Sequence, residues 1–348
     1  MKTILVTGGA GFIGSNFVRH ILSNFPEISV IILDKLTYAG NLDNLAGLDK
    51  QFGDRYKFTQ GDICDVNLVN KLVSGCYGIT NFAAETHVDR SIIDAGSFVQ
   101  TDVYGTYVLL EAARINNLEL FLQISTDEVY GEAPGRPSSE QDALMPKSPY
   151  AASKTGADRL AFSYYTTYKM PVVITRCTNN FGLYQHPEKL IPLFISNLLE
   201  NKSVPVYGSG KNTRDWIFVE DHCIALSLFL DNGKQYAGEV FNIGSGTEKS
   251  VIDITEALIS ILGKSKELMQ YVVDRPGHVQ RHAVDTTKIR QTFDWQPKTN
   301  FVAGLEKTVQ WYVNNPDWWR KIKEKNEEYK RFYNQNYTQR DTVIKSEI

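Results

Sequence analysis

Short apolar runs alternate with longer amphipathic stretches through the first half of the chain. TILVTG (3–8), VIILD (30–34), YKFTQGD (56–62), GITNFAAE (78–85), LELFLQIST (118–126) and PVVITRC (171–177) have strand length and strand composition. Between them apolar residues recur at helical spacing, as from Phe12 to Leu22 and through VYGTYVLLEAARIN (103–116). Near-continuous apolar strands separated by helices predict parallel strands, with crossover helices covering both faces of the sheet. The fold class is therefore α/β, a doubly wound parallel sheet followed by a smaller mixed α/β lobe.

The pattern changes after about residue 180. Segments become mixed, with turn signals at YGSGKN (207–212) and NIGSGTEKS (242–250). VEDHCIALSLFL (219–230) reads as a helix that returns to the first lobe. We expect residues 1–180 to form a first domain with a return element near 215–240. Residues 181–330 are expected mainly in a second lobe, with a charged tail at 331–348. The charge-rich segment beyond Trp319 predicts a solvated terminal helix to about Tyr333, then a frayed end. There is no internal repeat.

Composition narrows the class without naming it. The 348 residues are 42% apolar and 22% charged, with net charge −3, so no basic field attracts nucleic acid. Cys64, Cys76, Cys177 and Cys223 form no C-x-x-C pair, which argues against a disulfide framework or a zinc site and for a reducing compartment. No apolar run approaches the about 20 residues that span a bilayer, so no membrane partner is expected. Met1 leads straight into a strand, which predicts no signal peptide and a cytoplasmic protein.

TGGAGFIGS (7–15) places Gly8, Gly11 and Gly14 between the first strand and the first helix. Such glycines make a tight turn, let the backbone approach a pyrophosphate, and let helix and strand pack closely. The helix N-terminus then offers free N–H groups to the phosphates. Asp34, 20 residues after Gly14, ends the second strand. An acid there accepts hydrogen bonds from ribose hydroxyls and repels a 2′-phosphate, so a Rossmann-type domain for NAD is expected. Lys35 complicates that choice, because a cation tolerates the phosphate. Asp62, at the end of the third strand, is either an adenine contact or a turn residue after Gly61.

SPYAASKTGAD (148–158) contains Tyr150 and Lys154, at i and i+4 on one helix face. An ammonium beside a phenol favours the phenolate, and a tyrosine so tuned removes a hydroxyl proton while hydride leaves the same carbon. With the glycine loop and Thr126, this resembles the extended short-chain dehydrogenase/reductase superfamily, whose Ser/Thr, Tyr and Lys act together. That resemblance leaves Asp127 and Glu128 unexplained. They form either a helix cap in a solvated turn or an acid and base for an elimination. Adjacent carboxylates acquire opposite roles when burial and mutual repulsion split their proton affinities.

FAAETHVDRSI (82–92), STDEVYG (125–131), SPYAASK (148–154), TRCTNNFGLYQHPEKLIP (175–192), RDWIFVEDH (214–222) and DRPGH (274–278) resemble, in order, the motifs of the dTDP-glucose 4,6-dehydratases. The similarity runs from Met1 to about Trp319. It implies a tightly held NAD that is regenerated in each turnover, dTDP-glucose as substrate, a homodimer, and a place in deoxysugar supply such as dTDP-rhamnose biosynthesis. It makes Tyr150 the base for the 4-hydroxyl, Thr126 its hydrogen-bonding partner, Glu128 the base at carbon 5, and Asp127 the acid for the departing hydroxyl. It adds Phe12, Ile13, Ile63, Ala83 and Ala84 as cofactor contacts. On the substrate side it implies Arg214 and Arg275 at the diphosphate, Asn180 and Asn242 as hydrogen-bonding residues, Lys189 and Leu190 beside the sugar, and His278 at the nucleotide. Pro205 and Tyr207 offer a wall for the base. No metal site is expected, because His278 and His282 lack the glutamate of an H-E-x-x-H motif.

The chain departs from the family pattern at Phe181 and Leu183, at Val279 and His282, and at Asp102, which takes a place often held by asparagine. The rival readings are a dehydratase of UDP- or CDP-glucose, a UDP-sugar epimerase or decarboxylase, and a non-catalytic NAD-binding regulator. An epimerase has no use for Asp127 and Glu128. A decarboxylase needs an extra cation near STDEVYG. A regulator has no need of both Tyr150 and Lys154. The candidate dimer helices are DVYGTYVLLEAAR (102–114) and ASKTGADRLAFSYY (152–165).

Overall fold

The computed structural model describes residues 1–274 and 278–334. Its strands are β1 (Lys2–Thr7), β2 (Ile28–Asp34), β3 (Tyr56–Gln60), β4 (Gly78–Asn81), β5 (Leu120–Thr126), β6 (Val172–Cys177), β7 (Asn179–Phe181), β8 (Val204–Tyr207), β9 (Thr213–Phe218), β10 (Val240–Ile243), β11 (Glu248–Ser250), β12 (Met269–Val272) and β13 (Arg281–His282). Seven of them form one sheet in the order β10-β6-β5-β4-β1-β2-β3. Every pairing in it is parallel. The order reverses between β1 and β4, and the crevice beyond the strand ends at such a switch point is where doubly wound sheets bind ligands.

The expected strands form, and several are shorter than their apolar runs. β4 stops at Asn81, level with the end of β1: Asn81 pairs with Thr7, the last residue of β1, and with Gln123 of β5, which itself runs on to Thr126 beside β6. Phe82 to Glu85 therefore leave the sheet and face the crevice. Hydrogen bonds from Thr7 to Asn81 (2.6 Å) and from Asn81 to Gln123 (3.0 Å) tie the three central strands below that point. The helix expected over 103–116 opens with a π-helical turn, Val99–Gly105, before the α-helix Thr106–Ile115.

The chain returns to the first lobe after β9. The helix Val219–Ser227 packs against Phe12–Asn24, burying Val219, Cys223 and Leu226 with Phe17 and Val18. β10 then adds to the sheet beside β6, a strand that the sequence reading left unplaced. In the second lobe β9 pairs with β7, β11 and β13. Its core joins Phe181, Phe194, Phe218, Leu258, Leu305 and Tyr312. Among the described residues no helix is long and apolar enough to cross a membrane.

The end of the chain corrects the expectation of a solvated helix. Two helices, Pro316–Lys325 and Glu327–Tyr333, dock on the body through buried Trp319, Ile322, Tyr329 and Phe332. Arg90 donates to Glu328 (2.5 Å) and lies over the rings of Tyr38 (3.6 Å) and Phe332 (4.7 Å). The high charge of the segment hid an apolar stripe at helical spacing. The frayed end expected after Tyr333 falls almost wholly outside the described residues. A docked helix predicts that Phe332→Ala lowers unfolding free energy by about 2 kcal/mol, read as a lower urea midpoint. A change within about 0.5 kcal/mol would instead fit a solvated helix.

Candidate active site

A cavity of about 450 Å³ opens at the carboxyl ends of the large sheet and runs into the second lobe. Its first wall is the glycine loop. Gly8 has φ +67°, and a Cβ there would stand 2.7 Å from the amide nitrogen of Ala83. A Cβ at Gly14 would stand 2.3 Å from the carbonyl oxygen of Gly8. Neither position tolerates a side chain, so strand, loop and helix close on one another and leave bare backbone facing the cavity. The helix Phe12–Asn24 starts there with no side-chain cap, so its first N–H groups remain available to an anion.

Asp34 is fixed at the end of β2. One carboxylate oxygen accepts from the Ala10 amide (2.9 Å), the other from the Leu36 amide (2.8 Å). Lys35 pairs with Asp62 at 2.7 Å, so its charge is already engaged and its tolerance of a 2′-phosphate is reduced. Gly8, Gly11, Phe12, Ile13, Gly14, Asp34, Lys35, Asp62, Ile63, Ala83 and Ala84 all line this half of the cavity. A glycine cradle, an uncapped helix end and a buried acid at the second strand end suit a dinucleotide with free ribose hydroxyls.

β5 delivers the candidate reacting groups. It ends at Thr126, and a single 3-10 turn, Asp127–Tyr130, follows. The Thr126 hydroxyl caps that turn by accepting from the Glu128 amide (3.3 Å) and donates to Asp127 Oδ1 (3.2 Å). The turn does contain a cap, but the capping oxygen belongs to the threonine. Asp127 is buried, while Glu128 is half-buried on the cavity wall. Burial first, and then the charge of Glu128, push the Asp127 carboxyl up to about 8, against the opposing pull of Arg214. Asp127 Oδ2 has no hydrogen-bond partner among the described residues. Such an environment favours the protonated form of this carboxyl.

The opposite wall is the helix Pro149–Tyr168. Ser148 caps it by accepting from the Ala151 amide (3.1 Å), which fixes Tyr150 in the first turn and Lys154 one turn on. Both line the cavity beside Thr126 and Cys177. Lys154 donates to the Ile124 carbonyl oxygen (2.7 Å), anchoring the ammonium at the end of β5. The expectation of a tyrosine tuned downward needs correction. Burial, followed by the charges of Glu128 and Asp102, holds the Tyr150 phenol well above its usual value, and Thr126 offsets only part of this. In the protein alone desolvation is the largest influence on this phenol.

On the substrate side Asn180, Lys189, Leu190, Pro205, Tyr207, Arg214 and His278 all line the cavity. Lys189 donates to the Thr86 hydroxyl (3.2 Å), and Asn180 Oδ1 lies 2.9 Å from His222 Nδ1. Arg214 is not half of a surface ion pair with Asp215. Its guanidinium donates to the Thr213 and Val279 carbonyls, while buried Asp215 accepts from the amides of Ser245, Gly246 and Thr247. Arg275 lies outside the described residues.

Asn242 does not reach the cavity. It is fully buried on β10, where Oδ1 accepts from the Tyr130 hydroxyl (2.8 Å) and Nδ2 donates to the carbonyls of Ser138 and Asp285. Arg176 donates to the same Tyr130 oxygen (2.8 Å) and, through two nitrogens, to Asp158. Asn242 thus holds the turn that carries Asp127 and Glu128 from below.

The sequence reading missed Thr86, His87 and Glu188, which also line the cavity. His87 has φ +98°, an uncommon conformation for a non-glycine residue. Glu188 is buried and gripped at both oxygens by Arg90 (3.0 and 2.8 Å). A signal was present, because Glu188 precedes Lys189 in an already singled-out motif.

Comparison with known proteins agrees with this geometry. The family model described as GDP-mannose 4,6 dehydratase matches residues 5–308. A dTDP-glucose 4,6-dehydratase of Streptomyces niveus is 49% identical over 93% of this chain and 96% of its own. The low-salt glycan biosynthesis protein Agl12 of Haloferax volcanii is 51% identical over 90% of this chain and 99% of its own. The crystal structure of DesIV, a dTDP-glucose 4,6-dehydratase from Streptomyces venezuelae solved with NAD and TYD bound, superimposes with a TM-score of 0.89 at 45% identity, covering 92% of this chain and 99% of that one. UDP-glucose 4-epimerase from Thermotoga maritima has the same fold at 28% identity, with a TM-score of 0.82 over 90% of this chain and 99% of its own. A cavity with a glycine cradle, a Tyr–Lys pair and two unequal carboxyl groups, set in a chain of this similarity, belongs to the dTDP-glucose 4,6-dehydratase family of NAD-dependent nucleotide-sugar dehydratases.

Proposed function

We propose that this protein converts dTDP-glucose to dTDP-4-keto-6-deoxyglucose and water. The observation that carries this reading is the unequal burial of Asp127 and Glu128 beside Tyr150 and Lys154. NAD, when bound, supplies the acceptor for the carbon-4 hydride and later its donor to carbon 6, and its cationic ring favours the Tyr150 phenolate. The residues of the glycine loop, with Asp34, Ile63, Ala83 and Ala84, hold it.

Tyr150 takes the proton of the 4-hydroxyl, with Thr126 hydrogen-bonded to the reacting oxygen and Lys154 supporting the phenolate. The ketone acidifies the proton on carbon 5. Glu128, on the cavity wall, removes that proton. Asp127 gives its own to the hydroxyl leaving carbon 6, which departs as water. Glu128 returns its proton to carbon 5 as carbon 6 is reduced. At the end Tyr150 carries a proton that Asp127 lacks. The Thr126 hydroxyl interacts with both groups and is placed to pass it between them.

Arg214 serves the diphosphate, Pro205 and Tyr207 flank the base, and Asn180, Lys189 and Leu190 line the sugar end. The reading extends to Arg275 and His278 at the nucleotide. It extends also to a homodimer, because Val99, Tyr104 and Tyr107 are exposed along consecutive helical turns, with the two tyrosine rings 5.8 Å apart. A cytoplasmic setting fits the four free cysteines.

The direct test is turnover on dTDP-, UDP- and CDP-glucose by folded, NAD-loaded protein. We expect the alkali-absorbing keto-sugar from dTDP-glucose at the highest kcat/KM. Absence of that product from every nucleotide-glucose would contradict the reading. Asp127→Asn with Glu128→Gln should slow water loss about 100-fold or more while sparing the first hydride transfer, so reduced nicotinamide accumulates in a single turnover. Equal loss of both steps would remove the acid–base assignment. Tyr104→Glu with Tyr107→Glu should leave a monomer by sedimentation, and an unchanged mass would place any interface elsewhere.

A further inference from the structure

His222 is a fully buried histidine that takes no part in the reaction chemistry. It lies in the helix Val219–Ser227, which follows β9 directly. β9 also pairs with β7, where Asn180 stands opposite Ile217. Strand pairing and the strand-to-helix connection together set the imidazole against the Asn180 side chain. His222 Nδ1 lies 2.9 Å from Asn180 Oδ1.

The partners of that amide fix every proton in the contact. Asn180 Nδ2 donates to the Thr178 carbonyl oxygen (3.0 Å). A carbonyl oxygen only accepts, so the amide nitrogen faces Thr178 and the amide oxygen faces His222. Oδ1 also only accepts, so Nδ1 of the histidine carries the proton. A neutral imidazole has one N–H, which leaves Nε2 a bare acceptor. Nε2 has no hydrogen-bond partner among the described residues. The reverse tautomer would set two acceptors face to face at Nδ1 and bury an unpaired N–H at Nε2, and both arrangements are costly. Burial drops the imidazole to about 3, so no second proton is taken up near neutral pH.

Asn180 lines the cavity and is 9% exposed, whereas His222 lies behind it. The amide oxygen is turned to this interior donor, and one Nδ2 proton is spent on Thr178. One Nδ2 proton remains, beside Cys177 on the cavity wall. An amide free to flip would offer the cavity its oxygen as readily as its nitrogen.

We infer that His222 is a positioning residue for Asn180: its Nδ1–H locks the amide, so that Asn180 meets the nucleotide sugar as a hydrogen-bond donor to an acceptor oxygen. The inference rests on the reading of Asn180 as a substrate contact.

The tautomer is read by 15N NMR of NAD-loaded protein with labelled histidine, the His222 signals being assigned by their loss in His222→Asn. They should show a protonated Nδ1 and a bare Nε2, unchanged between about pH 5 and 8. His222→Leu removes the donor and should raise KM for dTDP-glucose about fivefold to tenfold, the worth of one hydrogen bond, with kcat within about twofold. His222→Asn has the size of leucine and loses the same ring packing, but its amide N–H takes the place of Nδ1. It should return KM to within about twofold of the parent. In an Asn180→Ala background, His222→Leu should raise KM no further, because the two residues act as one unit. A proton on Nε2, an equal KM rise in the Leu and Asn variants, or a full second increment in the Asn180→Ala background would overturn the inference. The tautomer is read without sugar, so absence of dTDP-glucose turnover would contradict the proposed function and leave this test standing.

Discussion

Loss of water from the Asp127 carboxyl is the interaction on which the site depends. Two acids that are neighbours in sequence would ionise alike in solvent. At the end of β5 one of them is buried and the other faces the cavity, so the first keeps its proton near neutral pH. On the function proposed above, that inequality lets an adjacent pair serve as an acid and a base. It needs no metal ion and no histidine, only a strand that ends inside the protein and a tight turn directly after it.

The turn is expensive to hold, and the structure shows what holds it. Beneath it Arg176 pairs with Asp158 and donates to Tyr130, which donates to Asn242, all four buried or nearly so. Breaking one partner of such a buried pair costs about 3–5 kcal/mol, because the other charge is left uncompensated. Burial of ionic groups on this scale does not raise stability for its own sake. It fixes one geometry for the residues above it. Asn242, implied by resemblance as a substrate contact, belongs to this support, and the edge strand β10 exists in part to present it.

The fold was largely legible in the chain, because buried parallel strands are continuous apolar runs bounded by glycine and acids, and Gly8 and Asp34 mark the ends of the first two. The candidate site was legible for a related reason: Thr126, Asp127, Glu128, Tyr150 and Lys154, which line one cavity, stand at or near strand and helix ends, where polar residues stand out against apolar ones. What could not be read depends on contacts distant in sequence. Nothing near Asn242 announces Tyr130, 112 residues away. Nothing near Glu188 announces Arg90, and charge alone concealed the docked stripe of Trp319, Ile322, Tyr329 and Phe332. The tuning of Tyr150 could not be read because spacing reveals the lysine and conceals the burial of the phenol.

The central claim is that Asp127 is protonated at the pH where Glu128 acts as a base. The most direct measurement is a 13C NMR titration of the aspartate carboxyl carbons in the folded protein, with the Asp127 signal identified by its loss in Asp127→Asn. The account predicts that this carboxyl titrates at about pH 8. Titration in the ordinary carboxylate range near pH 4 would leave the site without its acid and contradict the account.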